Sequence, residues 1–208
     1  MSEHEHFRAA YAEGATPPWD IGRPQPALVE AGCRGWVRGA VLDAGCGTGE
    51  HALHFAAAGC DVVGVDMVPA AIERAIAKAT ERRLSNPPRF IVADVLRDPG
   101  ALASRAFDTV VDMGFFHTLS DEQRAAWRVV LASILGPEGS YVMVCFSELV
   151  PGGFGPRRVS EAEIRETFAE DTGFVVADLE RSAILSMRGD APTEIPGWLA
   201  RVERKGPS

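Results

Sequence analysis

The sequence has no long hydrophobic run, because none of its segments approaches the roughly 20 apolar residues that a membrane-spanning helix needs. Its first residues, MSEHEHFRAAYAEG, are polar and acidic and lack the basic-then-apolar pattern of a secretory signal peptide. Basic side chains are in short supply, with 21 Lys and Arg against 29 Asp and Glu and a formal net charge of -8. This balance argues against a surface that follows nucleic-acid phosphates. We therefore expect a globular, cytoplasmic protein without a membrane or nucleic-acid partner.

The sequence contains no C-x-x-C pair, which argues against a zinc site or a disulfide framework. Each cysteine lies inside or beside an apolar run, as is typical of reduced, buried thiols; the four are Cys33, Cys46, Cys60 and Cys145. The other candidate for metal binding is the pair His51 and His54, three positions apart on a predicted helix. Two ligands do not make a metal site and no third partner is evident, so we expect no metal.

Short apolar runs rich in β-branched residues alternate with helical segments, and there are no internal repeats. The predicted strands cover residues 40–45, 61–66, 89–94, 107–113 and 139–147, followed by an apolar segment at 173–185 and a last strand around 198–202. Helices are predicted from about 49 to 58 and from Pro69 onward, and capping boxes at Ser120 and Ser160 begin two more. Gly136 and Pro137 end the helix that begins at Ser120. This alternation predicts an α/β fold, a single doubly wound and largely parallel sheet with helices on both faces.

A glycine-rich loop follows the first predicted strand. It reads Asp43-Ala-Gly45-Cys-Gly47-Thr-Gly49, and glycines allow positive φ angles and the close approach of a ligand to the backbone. The spacing is G-x-G-x-G rather than the G-x-G-x-x-G of dinucleotide-binding sites. Asp43 stands just before the loop, where it would repel a pyrophosphate but attract a cationic amine or sulfonium. A plain strand-to-helix turn can contain the same glycines, so the loop alone assigns no ligand.

Acidic residues end the next predicted strands. Asp66 closes the second strand, at about the distance at which an acid meets ribose hydroxyls in nucleotide sites. Asp94 closes the third strand, where it could accept a hydrogen bond from an adenine amino group, and Asp112 lies near the end of the fourth. A single such aspartate is most simply a solvated strand end. Together with Asp43 beside one glycine loop, however, these acids predict a ligand site at the carboxyl edge of the sheet.

These motifs carry a family resemblance. VLDAGCGTG, followed in order by VVGVD, ADV and FDTVVDMGFFHTL, resembles the class I S-adenosylmethionine-dependent methyltransferases over about residues 41–147. The resemblance implies a Rossmann-like sheet of seven strands with the last strand antiparallel, S-adenosyl-L-methionine as cofactor and S-adenosyl-L-homocysteine as product. It also implies the cofactor contacts: the methionine end at Asp43, Gly45, Cys46, Gly47, Thr48 and Gly49, the ribose at Asp66, the adenine at Met67, Asp94 and Val95, and further contacts at Asp112 and Met113.

A second, local resemblance concerns the N-terminal segment. PPWDIGRPQPAL, residues 17–28, is similar to the segment that folds over the cofactor in thiopurine-type and halide/thiol methyltransferases. It makes Trp19, Gly22 and Gln25 candidates for a cofactor lid; the alternative is a proline-rich arm packed on the sheet. Beyond Pro26 the loops do not match that group, so its substrate does not transfer. We expect one methyltransferase domain, with residues 1–35 as a helical lid, 36–148 as the cofactor-binding core and 149–208 as the substrate loop and C-terminal strands.

The acceptor site is expected around the loop after the fourth strand. His117 is a candidate general base or substrate hydrogen-bonding group, and a capping or packing role is equally compatible with its position. The remaining candidates are apolar walls at Phe115 and Phe116, an apolar contact at Phe154, an anion contact at Arg157 or Arg158, and more remote contributions from Phe7 and Tyr11. Their aromatic character predicts a small, flat or apolar acceptor, methylated on sulfur, oxygen or nitrogen.

Two other functions remain open from the sequence. A nicotinamide-dependent oxidoreductase would share the glycine loop and Asp66, although the glycine spacing and Asp43 argue against it. A non-catalytic S-adenosylmethionine-binding protein would need the same cofactor site. Neither the acceptor nor the oligomeric state follows from the sequence.

Overall fold

The computed structural model describes residues 3–12, 15–102, 105–153, 155–189 and 191–206. Its helices are α1 (Glu3–Ala10), α2 (Pro26–Cys33), α3 (Glu50–Ala57), α4 (Pro69–Arg82), α5 (Asp121–Ile134) and α6 (Glu161–Thr167). Its strands are β1 (Ala40–Ala44), β2 (Asp61–Asp66), β3 (Arg89–Val92), β4 (Phe107–Met113), β5 (Leu135–Phe146), β6 (Phe174–Arg188) and β7 (Ala191–Arg204). None of the helices in the described residues is long and apolar enough to cross a membrane.

All seven strands form one sheet in the order β3-β2-β1-β4-β5-β7-β6. Strands β1 to β5 are mutually parallel, and β7 runs antiparallel between β5 and β6. The predicted Rossmann-like fold is therefore confirmed, including the antiparallel last strand. The chain changes direction across the sheet at β1, which pairs with β2 on one side and β4 on the other. This switch point is where α/β sheets place their ligands, beyond the carboxyl ends of the strands.

The core consists of two apolar layers, one on each face of the sheet. Val41 of β1 packs in the layer that contains Phe55 of α3, whereas the next residue, Leu42, packs in the layer that contains Trp127 of α5. Successive side chains of a strand point to opposite faces, so this division follows directly from the near-continuous apolar runs of the central strands. Both layers support the strand ends that carry the glycine loop and the acidic residues.

The capping boxes are both confirmed. The Ser120 hydroxyl accepts the Gln123 backbone N–H at the start of α5, and the Ser160 hydroxyl accepts the Glu163 backbone N–H at the start of α6. In each case the side chain three residues into the helix also accepts the backbone N–H of the capping serine. These reciprocal bonds satisfy N–H groups that the first helical turn would leave unpaired.

Two strand predictions were too short. Strand β5 begins at Leu135 rather than Gly139, because Leu135 pairs with Phe107 as soon as α5 ends, and a register shift follows on β4. The last strand covers Ala191–Arg204 rather than only 198–202, since its first half is exposed or half-buried and lacks the apolar signal of a core strand.

The β6–β7 hairpin extends beyond β5, which pairs with β7 only as far as Phe146 and Gly197. We call the extension, residues 183–189 and 191–196, the hairpin arm. The segment of residues 15–25, called the strap, lies against it. Met187 of the arm donates its backbone N–H to the Pro18 carbonyl oxygen at 2.6 Å. The N-terminal and C-terminal parts of the chain therefore meet at the carboxyl edge of the sheet.

Candidate functional site

The glycine loop adopts a conformation that requires its glycines. Gly45, Gly47 and Gly49 have φ angles of 67°, 54° and 82°, a region that residues with a Cβ atom rarely adopt. The Cys46 N–H donates to the Val65 carbonyl oxygen at 2.9 Å, which ties the loop to the end of β2. The loop then leads into α3, which begins at Glu50. Backbone atoms rather than side chains therefore form the surface of the site beside β1.

Asp43 lies beneath this loop with an unused acceptor. The side chain is 1% exposed, and its Oδ2 atom accepts the Ala52 N–H of α3 at 3.0 Å. Its Oδ1 atom has no hydrogen-bond partner among the described residues. Burial raises the pKa of Asp43 to about 7, and the neighbouring charges of Asp112 and Asp66 add to this effect. A cationic hydrogen-bond donor bound at the loop would satisfy this oxygen and compensate its charge.

Asp66 joins β2 to the glycine loop. Its Oδ2 atom accepts the Gly47 N–H at 2.9 Å and its Oδ1 atom accepts the Val68 N–H at 2.8 Å. Burial raises the pKa of this carboxyl, whereas the backbone donors oppose the shift. An ionised carboxylate has about four acceptor positions, so two bonds leave it able to accept a ligand's hydroxyl groups. Met67, the next residue, is half-buried and packs beside Val68.

The end of β3 lies next to Asp66, because the Ala93 N–H donates to the Asp66 carbonyl oxygen at 3.0 Å. Asp94 follows, with its Oδ1 atom accepting the Leu96 N–H at 3.0 Å. An open cavity of about 260 Å³ adjoins it, lined by Asp94, Leu96, Arg97, Glu122, Gln123 and Ala126. Val95 is buried and absent from this lining. The predicted adenine edge is thus bordered by open space at Asp94 but not at Val95.

Asp112 is fully buried and holds the turn after β4. Its carboxylate accepts the backbone N–H of Phe115 at 2.6 Å and of Phe116 at 2.9 Å, and it accepts the Tyr141 hydroxyl as well. Burial raises its pKa to about 6 against these hydrogen bonds. With three internal donors, Asp112 positions the turn in this structure. Its predicted contact with the cofactor gains no support, and the half-buried Met113 packs against the apolar layer that contains Phe55.

The two phenylalanines of that turn have different surroundings. Phe115 is half-buried and lies against the glycine loop, since a Cβ atom on Gly45 would approach the Phe115 Cβ to 3.3 Å. Phe116 is fully buried in the core, 5.8 Å from the ring of Phe168 between ring centres. The predicted wall at Phe116 is therefore wrong, because this ring has no exposed surface, whereas the wall at Phe115 stays a prediction.

His117 is buried and its protonation is fixed by its contacts. The Nδ1 atom accepts the Phe146 backbone N–H at 2.9 Å, and the two rings lie 4.3 Å apart. Burial lowers the pKa of His117 to about 3, and the positive charge of Arg124 acts in the same direction. The imidazole is therefore neutral, with Nδ1 as acceptor and Nε2 carrying the hydrogen. Such a ring donates a hydrogen bond from Nε2 but is too weak a base to remove a proton near neutral pH, which corrects the general-base alternative.

The Nε2 edge of His117 faces the glycine at the end of β4. A Cβ atom on Gly114 would lie 3.3 Å from both Nε2 and Cε1 of His117. Nε2 has no hydrogen-bond partner within the described part of the chain. Gly114 also pairs with β5 through its N–H, which donates to the Val144 carbonyl oxygen at 2.9 Å. The unused donor therefore lies at the carboxyl edge of the sheet, between β4 and β5.

The arginines of the following loop are held by their own neighbours. Arg157 forms ion pairs with Asp121, at 2.5 Å, and with Glu163. The Arg157 side chain is 40% exposed. Arg158 donates to the carbonyl oxygens of Pro156 and Pro151 in the same loop. Both guanidinium groups fasten the loop, so the predicted anion contact at Arg157 is not supported. Phe154, the predicted apolar contact, lies outside the described residues.

The strap contains the three predicted lid residues in different settings. Trp19 is 38% exposed and its Nε1 atom donates to the Tyr11 hydroxyl at 3.1 Å. Gly22 has a φ of 68° and donates its N–H to Asp20. Gln25 is 1% exposed and exchanges two hydrogen bonds of 2.8 Å with the backbone of Leu185 in the hairpin arm. Gln25 therefore anchors the strap to the hairpin arm, and because its amide is paired there, its predicted cofactor contact gains no support.

Sequence reasoning missed the polar contacts that fasten the strap to the loop. The Thr48 hydroxyl donates to Asp20 at 2.6 Å, and the Lys78 ammonium of α4 donates to Thr48 and to Glu50, each at 2.7 Å. Asp20 itself lies 3.8 Å from the Lys78 nitrogen. Thr48 and Lys78 lie 28 and 58 positions after Asp20 in the chain, so no local pattern could have indicated these contacts. The sequence signal was only an aspartate next to a lid tryptophan.

The two histidines considered as metal ligands, His51 and His54, contact different partners. His51 accepts the Gln25 backbone N–H at its Nε2 atom, and burial lowers its pKa to about 4. His54 packs edge-on against Phe55. In the described ranges, no three His, Cys, Asp or Glu side chains come together in a way that could hold a metal ion.

Comparisons with known proteins agree with this geometry. Residues 41–139 match a family model described as a methyltransferase domain. The chain is 33% identical to a 2-heptyl-1-hydroxyquinolin-4(1H)-one methyltransferase of Mycobacteroides abscessus, over 91% of this chain and 90% of the relative. It is 30% identical to a probable thiol methyltransferase 2 of Arabidopsis thaliana, over 78% of this chain and 72% of the relative.

A solved structure is similar over nearly the whole chain. It comes from a study of the conversion of a disulfide bond into a thioacetal group during echinomycin biosynthesis, and it is 33% identical with a TM-score of 0.85. The match covers 98% of this chain and 94% of that one. The similarity therefore includes the strap and the hairpin arm as well as the glycine loop.

Proposed function

The chain belongs to the class I S-adenosylmethionine-dependent methyltransferases of small-molecule type, and on this premise we propose that it methylates an acidic hydroxyl or thiol group of a small, apolar ring compound. It is an enzyme with S-adenosyl-L-methionine as cofactor and S-adenosyl-L-homocysteine as product. Because the chain belongs to this family, we no longer consider a nicotinamide-dependent oxidoreductase as its function. The acceptor class, the roles of the site residues and the location of the protein are proposals.

The residues of the site fit this cofactor. The buried Oδ1 atom of Asp43 has no donor among the residues that the structure describes, and the methionine moiety of the cofactor carries an ammonium group that could supply one. We propose that the backbone of the glycine loop receives this moiety, that Asp66 accepts hydrogen bonds from the ribose hydroxyls, and that Met67 and Asp94 contact the adenine. Among the predicted lid residues, Trp19 and Gly22 remain candidates, since Gln25 is engaged by Leu185.

The methyl donor defines what the acceptor site must do. When bound, the cofactor would supply a methyl group on a sulfonium sulfur. A lone pair of the acceptor would bond to the methyl carbon in line with the carbon–sulfur bond, and that bond's electron pair would leave on the sulfur as a neutral thioether. The protein must then align the acceptor and exclude water. Phe115 beside Gly45 and the ring of Phe146 beside His117 offer apolar surfaces at the carboxyl edge of the sheet.

The state of His117 is the observation that carries the acceptor class. A neutral imidazole with Nε2–H free can donate a hydrogen bond to an anionic oxygen or sulfur, and it does not remove a proton near neutral pH. The acceptor must therefore release its own proton to water. Thiols, with pKa values near ~8.5, and acidic hydroxyl groups on heteroaromatic rings meet this condition better than alcohols or amides. The relatives named for a hydroxyquinolone and for thiols support the same class.

The test combines binding and turnover. Calorimetry should detect micromolar binding of S-adenosylhomocysteine and none of NADH or NADPH. Asp66→Ala should weaken this binding by more than about tenfold, since two hydrogen bonds to a charged group are lost. Asp61→Ala, at the exposed start of the same strand, should leave it unchanged.

Turnover is then measured with an N-hydroxyquinolone and an aromatic thiol, and the methylated product is identified by mass spectrometry. Methylation of either, rising with pH as the acceptor ionises, is the expected result. Preferential methylation of neutral alcohols or amides, with no dependence on acceptor acidity, would contradict the proposed acceptor class while leaving the cofactor assignment intact.

We further propose a cytoplasmic protein in which residues 1–35 cover the cofactor, 36–148 bind it and 149–208 border the acceptor. The strap's position against the hairpin arm supports this division of roles. The four cysteines are free thiols, and three of them are buried, as expected for a reducing compartment. Fractionation of the source cells and a binding assay with duplex DNA would test the location and the expected lack of a nucleic-acid partner.

A further inference from the structure

Tyr11 is held over the glycine loop by contacts that come from α4. The Arg74 guanidinium donates to the carbonyl oxygens of Tyr11 and Ala12 at 3.1 Å each and of Ala15 at 2.7 Å. Tyr11 itself is 5% exposed and packs beside Val68. Three hydrogen bonds from one charged side chain fix the backbone around Tyr11, so the position of its ring is defined by the core and not by α1 alone.

The hydroxyl group of Tyr11 reaches the backbone of the loop. A Cβ atom on Gly47 would lie 2.7 Å from the Tyr11 oxygen, so a larger residue at this position would displace the hydroxyl group. Glycine at position 47 therefore serves two purposes: it permits the positive φ of 54° and it makes room for this hydroxyl. The phenol oxygen therefore lies directly against the backbone of the glycine loop.

The hydroxyl has an unused hydrogen. Its oxygen accepts the Trp19 indole N–H at 3.1 Å. Among the described residues its own hydrogen has no acceptor. Burial raises the pKa of Tyr11, and the nearby carboxylates of Asp66 and Asp20 raise it further while the Trp19 hydrogen bond lowers it. Tyr11 therefore remains protonated and is a hydrogen-bond donor at all physiological pH values.

We propose that Tyr11 is a cofactor-binding residue whose hydroxyl donates a hydrogen bond to the carboxylate of the methionine moiety. This inference rests on the proposed placement of that moiety at the glycine loop. The moiety carries both an ammonium and a carboxylate group, and Asp43 offers an acceptor for the first but nothing for the second. The nearby cations, Lys78 and Arg74, are already engaged, with Glu50 and Thr48 in one case and with backbone carbonyls in the other.

The loop has one acceptor and one donor beside it. Among the described residues, the Oδ1 atom of Asp43 has no donor and the Tyr11 hydroxyl hydrogen has no acceptor. The Trp19 N–H makes the phenol a better donor, because accepting a hydrogen bond at the oxygen polarises its O–H group. A strap residue thus contributes to cofactor binding through Tyr11 without itself having to touch the carboxylate.

The test uses two ligands that differ only in the carboxylate. Calorimetry is carried out with S-adenosylhomocysteine and with its decarboxylated analogue, for the wild type and Tyr11→Phe. The variant should bind S-adenosylhomocysteine about tenfold more weakly or worse, since a hydrogen bond to a charged group is lost. It should bind the decarboxylated analogue within about twofold of the wild type, because that ligand offers no partner to the hydroxyl.

Tyr141→Phe is the matched control, because it makes the same chemical change at the other tyrosine, which bonds to Asp112 in the core. It should leave the ratio of the two affinities unchanged. Equal losses for both ligands in Tyr11→Phe would show a packing role, and no loss for either would show no role; each result would overturn the proposal. Failure of the wild type to bind S-adenosylhomocysteine would be a different outcome, since it would overturn the proposed function itself.

Discussion

Replacing His117 by asparagine separates the two hydrogen-bonding nitrogens of the imidazole ring. The asparagine oxygen can take the place of Nδ1 and keep accepting the Phe146 N–H, now at 2.9 Å from the histidine. The variant lacks any group at the position of Nε2. His117→Gln does the reverse, since its longer amide can place an N–H near Nε2 but leaves the Phe146 N–H without an acceptor. The two variants therefore distinguish a role toward the acceptor from a role in holding β5.

The expected size of each effect follows from the free energy of the hydrogen bond that the variant loses. A hydrogen bond to an anionic acceptor contributes about 1.5–3 kcal/mol, so His117→Asn should reduce kcat/KM by about 10-fold to 150-fold with little loss of stability. His117→Gln should lose about 1–3 kcal/mol of unfolding free energy, since a buried N–H is left unpaired. Steady-state kinetics and urea unfolding measure the two effects.

The pH dependence decides how His117 acts. Because burial lowers its pKa to about 3, the ring stays neutral above pH 5 and the rate should follow the ionisation of the acceptor. Below the acceptor's pKa, kcat/KM should rise about tenfold per pH unit in both wild type and His117→Asn. An additional limb near pH 6–7 that His117→Asn abolishes would show a general base and refute this reasoning.

The same shift affects stability. The folded pKa of His117 lies below the value of about 6.5 expected in the unfolded chain, so protonation favours unfolding. The wild type should lose stability relative to His117→Asn as the pH falls from about 6.5 toward about 3. Unchanged relative stability over this range would contradict the buried, neutral state of the ring.

Three further perturbations test the surrounding structure. Gly49→Ala would place a Cβ atom 2.8 Å from a phenylalanine ring of β3 at a φ of 82°, and should cost about 2–4 kcal/mol in urea unfolding. Gly152→Ala has a φ of 81° in open space, so it should show only the smaller backbone strain; equal costs would refute the packing argument. The pKa of Asp43 is raised to about 7 in the folded protein, whereas the unfolded chain releases this proton at lower pH. Asp43→Asn should therefore gain up to about 4 kcal/mol of unfolding free energy relative to the wild type as the pH rises from about 4 to about 7. A difference in unfolding free energy that stays constant with pH would contradict this. Thr48→Val should remove the hydroxyl that donates to Asp20 at 2.6 Å and speed chymotryptic cleavage in the strap several-fold, and an unchanged cleavage rate would show that this bond does not hold the strap.

The parts of the molecule that sequence analysis predicted well are those with local signals. The glycine loop and Asp66 are set by the strand they follow, because parallel strands bring their carboxyl ends to one edge. The capping boxes at Ser120 and Ser160 depend on residues three positions apart and were found for that reason.

The predicted roles that gain no support belong to side chains whose neighbours are set by tertiary packing. Gln25 looked like a lid residue, but its amide pairs with Leu185, 160 positions away. Arg157 looked free to bind an anion until α5 and α6 placed Asp121 and Glu163 beside it. Phe115 and Phe116 are adjacent and chemically identical, yet only Phe116 is fully buried. Composition and spacing contain no information about such orientations, which tertiary packing determines.

The bonds between Gln25 and Leu185 have a consequence for the biosynthesis of the chain. A ribosome releases the strap early and the hairpin arm late, so the strap has no docking partner until the chain is synthesised to about position 188. Contacts between such distant positions form slowly, because a long loop must be closed first. The glycine loop can therefore form on the nascent chain before the strap docks. On the proposed role of the strap as a cover, a cofactor that binds before this late contact forms stays accessible to water.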